Sequence, residues 1–148
     1  MTTVVTRSGK GSPLTHNEVD ANFTNLNTDK VESTNGALTN PTVTNYIETP
    51  YTANTSTAIT LNLANGTVQV LTLTGSPTIT MPTAVAGKSF IIYLKTGAGS
   101  YSVTWTTVKW PAATAPTITS TASKMDIFSF FSDGTNWYGT TVGQNYTP

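Results

Sequence analysis

From about residue 43 onward, the sequence is a series of short segments in which apolar and polar residues alternate. A period of two is typical of β-strands with one buried face. Ile59, Leu61 and Leu63 share one face of such a segment. Asn65-Gly66 follows them, and this dipeptide favours a two-residue hairpin turn. This pattern predicts that most of the chain is a β domain.

Two further hairpins are predicted nearer the C-terminus. The near-continuous apolar segment "SFIIYL" would turn at Gly97-Ala98-Gly99, and a last hairpin would turn at Asp133-Gly134. "PTITMP" adds a short strand between two prolines. About eight short strands at regular spacing predict a mainly β fold, an antiparallel β-sandwich or jelly-roll-like domain over residues 43–148.

The stretch "SPLTHNEVDANFTNLNTDKV" has the pattern of a helix and differs from everything after it. Thr15 and Glu18 match the Ser/Thr-x-x-Glu capping box that begins a helix. Leu14 and Val19 stand where a hydrophobic staple places its two apolar residues. We therefore expect a helix that begins at Thr15.

The apolar residues of this helix, Val19, Phe23 and Leu26, are spaced four and three apart, as in a coiled-coil seam. A helix of about 15 residues that is rich in Asn and Thr is marginal by itself in water. The seam therefore needs a partner surface. That surface belongs to copies of the chain, to another protein or, alternatively, to the chain's own β domain.

Three regions follow from these patterns. Residues 1–32 are expected to form an N-terminal arm and an anchoring or trimerisation helix. Residues 33–42 are expected to be a linker, because Asn35-Gly36 and Asn40-Pro41 are turn signals. The third region is the β domain of residues 43–148.

Composition excludes several classes of partner. The 148 residues have a net charge of +0 and only 9% charged residues, whereas nucleic-acid binding needs clustered Lys and Arg. The absence of cysteine excludes disulfides and thiolate metal sites. The apolar segments are too short to insert into a membrane. We expect no nucleic acid, no membrane insertion, no metal and no cofactor.

No catalytic arrangement is recognisable, so we expect that the protein is not an enzyme. "AVAGKS" resembles part of a phosphate-binding loop, but Pro82 replaces the first glycine and a strand follows in place of a helix. The single histidine, His16, has no partner set for metal binding or nucleophilic catalysis. Asp126 and Asp133 are a weak candidate for a glycosidase pair, since Asp133 belongs to a turn.

The aromatic residues of the β domain have two interpretations. Trp105, Trp110, Trp137 and Tyr138 occur in two predicted hairpin regions. If exposed, they could stack on a sugar face and contact a host surface glycan. If buried, they are the large side chains that fill a thin β domain, which is the interpretation that we favour.

The N-terminal stretch resembles a short signature of bacteriophage fibre and appendage proteins, with a Pro-Leu-Thr-x-x-Glu-x-Asp-x-Asn-Phe-x-x-Leu-Asn pattern ahead of variable distal domains. The matching positions are Pro13, Leu14, Thr15, Glu18, Asp20, Asn22, Phe23, Leu26 and Asn27. The C-terminal segment "KMDIFSFFSDGTNWYGTTVGQNY" is similar to the terminal β domain of small virion proteins of aquatic and cyanobacterial phages. The resemblance implies a virion part that is commonly trimeric.

The resulting expectation is a structural component of a phage virion. It would be a short trimeric fibre or appendage, anchored through its N-terminal segment to another virion protein and displaying a C-terminal β domain. One alternative is a capsid decoration protein whose β domain grips the shell, and another is a carbohydrate-binding adhesin module. The distinctive motif is short and N-terminal, as in a docking segment, which favours the appendage.

Overall fold

The structure is a computed structural model that describes residues 5–29 and 40–148, with side chains described for residues 5–24 and 40–148. The chain divides into two compact units, Met1–Asn45 and Tyr46–Pro148. Most of the predicted linker, residues 33–39, lies outside the described residues, as do residues 1–4 and 30–32 of the predicted arm and helix.

The described part of the first unit contains two helices. Helix α1 (Arg7–Lys10) is a single turn that Thr6 begins by accepting the Gly9 N–H, at 3.1 Å. Gly11 ends it with a φ of 72°, the left-handed conformation that glycine adopts without strain. Helix α2 (His16–Asp29) begins directly after Thr15, so the predicted helix start is confirmed. The sequence did not predict α1.

The second unit is mainly β, as predicted, with its described strands in two sheets. The strands are β1 (Tyr51–Thr55), β2 (Ala58–Thr60), β3 (Val68–Leu73), β4 (Thr78–Thr80), β5 (Ser89–Thr96), β6 (Thr104–Thr106), β7 (Val108–Lys109), β8 (Met125–Ser132) and β9 (Trp137–Tyr146). The larger sheet has the order β1-β3-β5-β8-β9-β7 and is of mixed direction, and the smaller has the order β2-β4-β6.

The first six strands alternate between the two sheets, so the chain winds in three successive coils. Each coil gives one strand to the larger sheet and one to the smaller, and equivalent strands of successive coils pair in parallel. Tyr51 pairs with Gln69, 18 residues further on, and Ala58 pairs with Thr78, 20 residues further on. Parallel pairing of successive coils is the arrangement of a β-helix.

The prediction of an antiparallel domain is therefore wrong for most strand pairs. Asn65-Gly66 does not close a hairpin, because β2 and β3 lie in different sheets. Asn65 ends a one-turn 3-10 helix, in which the Asn62 side chain accepts the Ala64 N–H, at 2.9 Å. The predicted turn at Gly97-Ala98-Gly99 likewise joins two sheets and is not a hairpin. The hairpin at Asp133-Gly134 is confirmed, since β8 and β9 are antiparallel.

Glycines allow the coils to approach each other at the corners. Gly97 directly follows β5, and its N–H donates to the carbonyl oxygen of Leu73 in the preceding coil, at 3.0 Å. A Cβ on Gly97 would collide with that carbonyl oxygen, and a Cβ on Gly75 would collide with the backbone of Ser56. These glycines are needed because two backbones meet where a side chain would otherwise lie.

The core lies between the two sheets and is built from in-register rows. In the larger sheet, Ala53, Leu71 and Leu94 occupy equivalent positions of successive coils, and in the smaller sheet Ile59, Ile79 and Trp105 do. The buried cluster includes residues of both sheets. The antiparallel β8 continues the larger sheet, with Phe130 opposite Phe90 and their rings stacked at 4.9 Å. The side chains of these rows form one continuous apolar core.

Replacing Gly97 with Ala should lower the free energy of unfolding by about 2 kcal/mol or more, because the added methyl group forces two paired backbones apart. Thermal and urea denaturation followed by circular dichroism would measure the change. Ser100→Ala, at an exposed position of the same loop, is the control and should stay within about 0.5 kcal/mol of the unsubstituted chain. Equal stability of the two variants would contradict the close approach of the coils.

Candidate functional site

The N-terminal segment is folded back on itself by polar contacts, and we call residues 5–24 the N-terminal hook. The Asn22 side chain pairs with the backbone of Val5 in both directions. Its Oδ1 accepts the Val5 N–H and its Nδ2 donates to the Val5 carbonyl oxygen, each at 2.8 Å. The amide side chain thus satisfies both backbone polar groups of Val5. This contact ties the residues before α1 to the middle of α2.

The capping box predicted at the start of α2 is present. The Glu18 carboxylate accepts the Thr15 N–H at 2.7 Å, and Thr15 Oγ1 accepts the Glu18 N–H at 3.3 Å. Lys10 also forms an ion pair with the same carboxylate. The Lys10 ammonium group, followed by the Thr15 N–H and hydroxyl, lowers the pKa of Glu18 from its ordinary 4.5 to about 2. Glu18 therefore joins the end of α1 to the start of α2.

The polar contacts leave two apolar side chains of the hook exposed. Phe23, on α2, is 68% exposed, and Val5 is 39% exposed. Leu14 and Val19 are half-buried, and no contact between them is described, so the hydrophobic staple stays a prediction. The side chain of Leu26 lies outside the described ones. The role of Leu14, Thr15, Glu18, Val19, Phe23 and Leu26 as an anchor or oligomer interface stays a prediction.

The three tryptophans of the β domain pack among other aromatic rings. Trp137 is 2% exposed, and its Nε1 donates to the Pro82 carbonyl oxygen at 2.8 Å. Trp105 and Trp110 are half-buried, with ring centroids 5.4 Å apart, and both lie edge-on to Phe128. Edge-to-face contact is a favourable arrangement of packed aromatic rings. Their placement is that of large core side chains.

Gly139 makes room for the Trp110 ring, since a Cβ there would lie 2.7 Å from Trp110 Cζ3.

Tyr138, the fourth candidate aromatic, is 45% exposed and donates its hydroxyl to Asp133 Oδ2 at 2.9 Å. The backbone N–H groups of Asn136 and Thr135, together with that hydroxyl, lower the pKa of Asp133 to about 2. The two residues therefore fix the β8–β9 turn, and the exposed ring of Tyr138 stays a candidate for ligand contact.

Asp126 is a buried carboxylate that holds three parts of the β domain together. It is 2% exposed and pairs across the sheet with Leu94. It accepts the Thr119 N–H at 2.6 Å, the Asn145 N–H at 2.9 Å and the Gln144 side-chain amide at 3.1 Å. A buried carboxylate needs such donors. The arrangement joins the loop before β8 to the irregular end of β9.

Sequence reasoning missed the contacts of Lys10, Asn22 and Asp126. Lys10 and Glu18 are eight residues apart and lie on different elements, so no helical spacing relates them. Asn22 belongs to the recognised motif, but its partner is a backbone group that carries no sequence signal. A signal did exist for Asp126, because it alternates in phase with Phe128 and Phe130, whose side chains are buried.

The Glu18 carboxyl should titrate at about pH 2, whereas replacing Lys10 with Ala should move its midpoint toward 4.5. The pKa is lower in the folded hook than in an unfolded chain. The contact therefore stabilises the hook fully above about pH 4.5 and is lost as the pH falls through about 2. Carbon-13 NMR of the side-chain carboxyl as a function of pH measures both midpoints. An unshifted midpoint in the unsubstituted chain would contradict the ion pair.

Replacing Asp126 with Ala should lower the free energy of unfolding of the β domain by about 3 kcal/mol or more, because three donors lose their buried acceptor. The melting temperature should fall by about 10 °C or more. Asp20→Ala, at an exposed position of α2, is the matched control and should leave the melting temperature of the β domain unchanged. Calorimetry of both variants would reveal whether Asp126 has this role.

Among the described residues, no group of three His, Cys, Asp or Glu side chains is placed to hold a metal ion. No helix in the described ranges combines the length and apolar character that crossing a membrane requires. No family model, no curated protein sequence and no solved structure matches the chain.

Proposed function

We propose that this chain is a structural component of a bacteriophage virion, a short trimeric appendage that attaches through its N-terminal hook and displays the β domain. The observation that carries the proposal is the exposure of Phe23 on a helix whose Glu18 and Asn22 side chains are held by polar contacts within the hook. A large apolar side chain held in water on a preformed helix is suited to bury against a partner protein.

The roles of the motif residues support this proposal. Thr15 and Glu18 form the capping box, and Asn22 fixes the preceding segment. Three polar positions of the appendage-like motif therefore build the hook, and its aromatic position, Phe23, remains free for a partner. These contacts order part of the hook before docking, which would reduce the conformational entropy that it loses when it binds. Copies of the chain and another virion protein are the proposed partners.

For the β domain we propose a two-layered sandwich, in preference to a jelly roll. Side chains from both sheets contribute to one buried cluster. A jelly roll is built from antiparallel Greek keys, whereas the first three coils here pair in parallel. We propose a structural role without catalysis, in which the domain serves as a rigid body carried by the hook.

Replacing Phe23 with Ala should sharply reduce incorporation of the protein into virus particles. If the ring is buried on assembly, the loss is about 3–5 kcal/mol for each copy. About 4 kcal/mol is close to a thousandfold in the binding constant. The melting temperature of the free chain should not change, because the ring is exposed there. The measurement is co-sedimentation of purified variants with particles that lack the protein.

Asn17→Ala, at an exposed position of the same helix, is the control and should incorporate normally. Deletion of residues 1–31 should abolish incorporation. If the deleted chain is still incorporated, attachment must occur through the β domain, as in a capsid decoration protein.

A further inference from the structure

The outward face of the larger sheet carries apolar side chains in paired rows. In β3, β5 and β8, buried residues alternate with half-buried ones, so each strand has an inner and an outer face. We call the outward side chains of Val68, Val70, Ile91, Tyr93, Met125 and Ile127 the outer sheet face. Val70, Tyr93 and Ile127 form one row across the three strands, and Val68 and Ile91 belong to a second.

The sequence of the central strand indicates that this face is covered in the assembled protein. β5 has five consecutive large apolar residues, Phe90 to Leu94, of which Phe90, Ile92 and Leu94 are buried in the core. Near-continuous apolar strands are typical of sheets that are covered on both faces. The core between the two sheets covers only the inner face. Ile91 and Tyr93 are therefore residues of the kind that is usually buried, but in the single chain they are only half-buried.

One residue before β1, Tyr46, extends this apolar surface. It is 71% exposed and lines a groove of about 290 Å³ together with Glu48, Val68 and Ile91. Burying a large apolar side chain that water would otherwise contact is favourable by about 2 kcal/mol. The groove and Tyr46 therefore favour association at this face.

We infer that the outer sheet face is the surface through which copies of this chain associate. The outward surface of the whole larger sheet, of which the outer sheet face is the apolar centre, has a suitable size: six strands about 4.8 Å apart and two to ten residues long give roughly 600 Å². Tyr46 extends this toward the roughly 800 Å² per partner of a standard interface. In the proposed trimer, on which this inference rests, the three faces would lie toward the threefold axis.

The charge of the face favours a second copy over a charged partner. Among the outward residues of β3, β5 and β8, Lys95 is the one charged side chain, and it lies near the end of β5. Glu48 lines the adjoining groove. A face with so few charges repels its own copy little, and it gives little electrostatic complementarity to nucleic acid or to a strongly charged protein. Association of two copies would place the apolar rows of one outer sheet face against those of the other.

The test introduces a charge into the centre of the face of the full chain. Val70→Lys should raise the dissociation constant of the oligomer at least about thirtyfold, which is the size of a hot-spot loss. Val85→Lys is the matched control, because Val85 is 51% exposed and lies in the loop before β5. It should leave the oligomer unchanged. Multi-angle light scattering and sedimentation velocity at several concentrations give the mass, and circular dichroism reports whether each variant folds.

A second pair of variants tests the same interface in case Val70→Lys does not fold. The chain contains no cysteine, so Val70→Cys and Val85→Cys each add a single thiol. A short bismaleimide should link copies of Val70→Cys and should not link copies of Val85→Cys. A monomer at every concentration, or an oligomer that withstands Val70→Lys and resists crosslinking at Val70, would overturn the inference. A dimer that Val70→Lys dissociates would support the interface and contradict the proposed trimer.

Discussion

Parallel pairing of successive coils is the constraint on which the rest of the β domain depends. Each coil places a strand directly beside its equivalent in the next coil, so the strand spacing of about 4.8 Å also sets the distance between side chains in a row. Leu71 must fit between Ala53 and Leu94, and Ile79 between Ile59 and Trp105. At the corners the same spacing leaves no room for a Cβ at Gly75 or Gly97.

The last two long strands continue the larger sheet in alternating directions, since β8 runs opposite to β5 and β9 runs opposite to β8. β8 pairs with β5 along most of its length, and β9 returns beside β8. The antiparallel pair brings Phe128, Phe130 and Trp137 into the core, where they pack with Phe90, Trp105 and Trp110. Asp126 connects the irregular end of this pair to the loop before it. Aromatic packing and one buried carboxylate therefore complete the domain beyond the coils.

The N-terminal hook depends on a different kind of interaction. Its contacts are hydrogen bonds and an ion pair between exposed groups, whereas the β domain depends on a buried apolar core. Exposed polar contacts each contribute little to stability. Those of the hook orient the segment without covering Phe23, which stays exposed. This contrast supports the separate roles that we propose for attachment and display.

Local interactions are what the sequence by itself determined. The start of α2 follows from Thr15 and Glu18, because a capping box involves only neighbouring residues. The β8–β9 hairpin follows from Asp133-Gly134, and the mainly β class follows from period-two alternation. These features could be predicted since the interacting groups are close along the chain. The favoured interpretation of the tryptophans as core residues agrees with the burial of Trp137.

The pairing of strands was decided only by the tertiary structure. Alternation of apolar residues is the same in a strand that pairs antiparallel with its neighbour and in one that pairs in parallel 18 to 26 residues away. Asn65-Gly66 has the composition of a hairpin turn, yet the chain there passes from one sheet to the other. The contacts of Lys10 with Glu18 and of Asn22 with Val5 also join residues without a shared local pattern. Contacts between residues far apart in the chain select among strand arrangements that local sequence patterns do not distinguish.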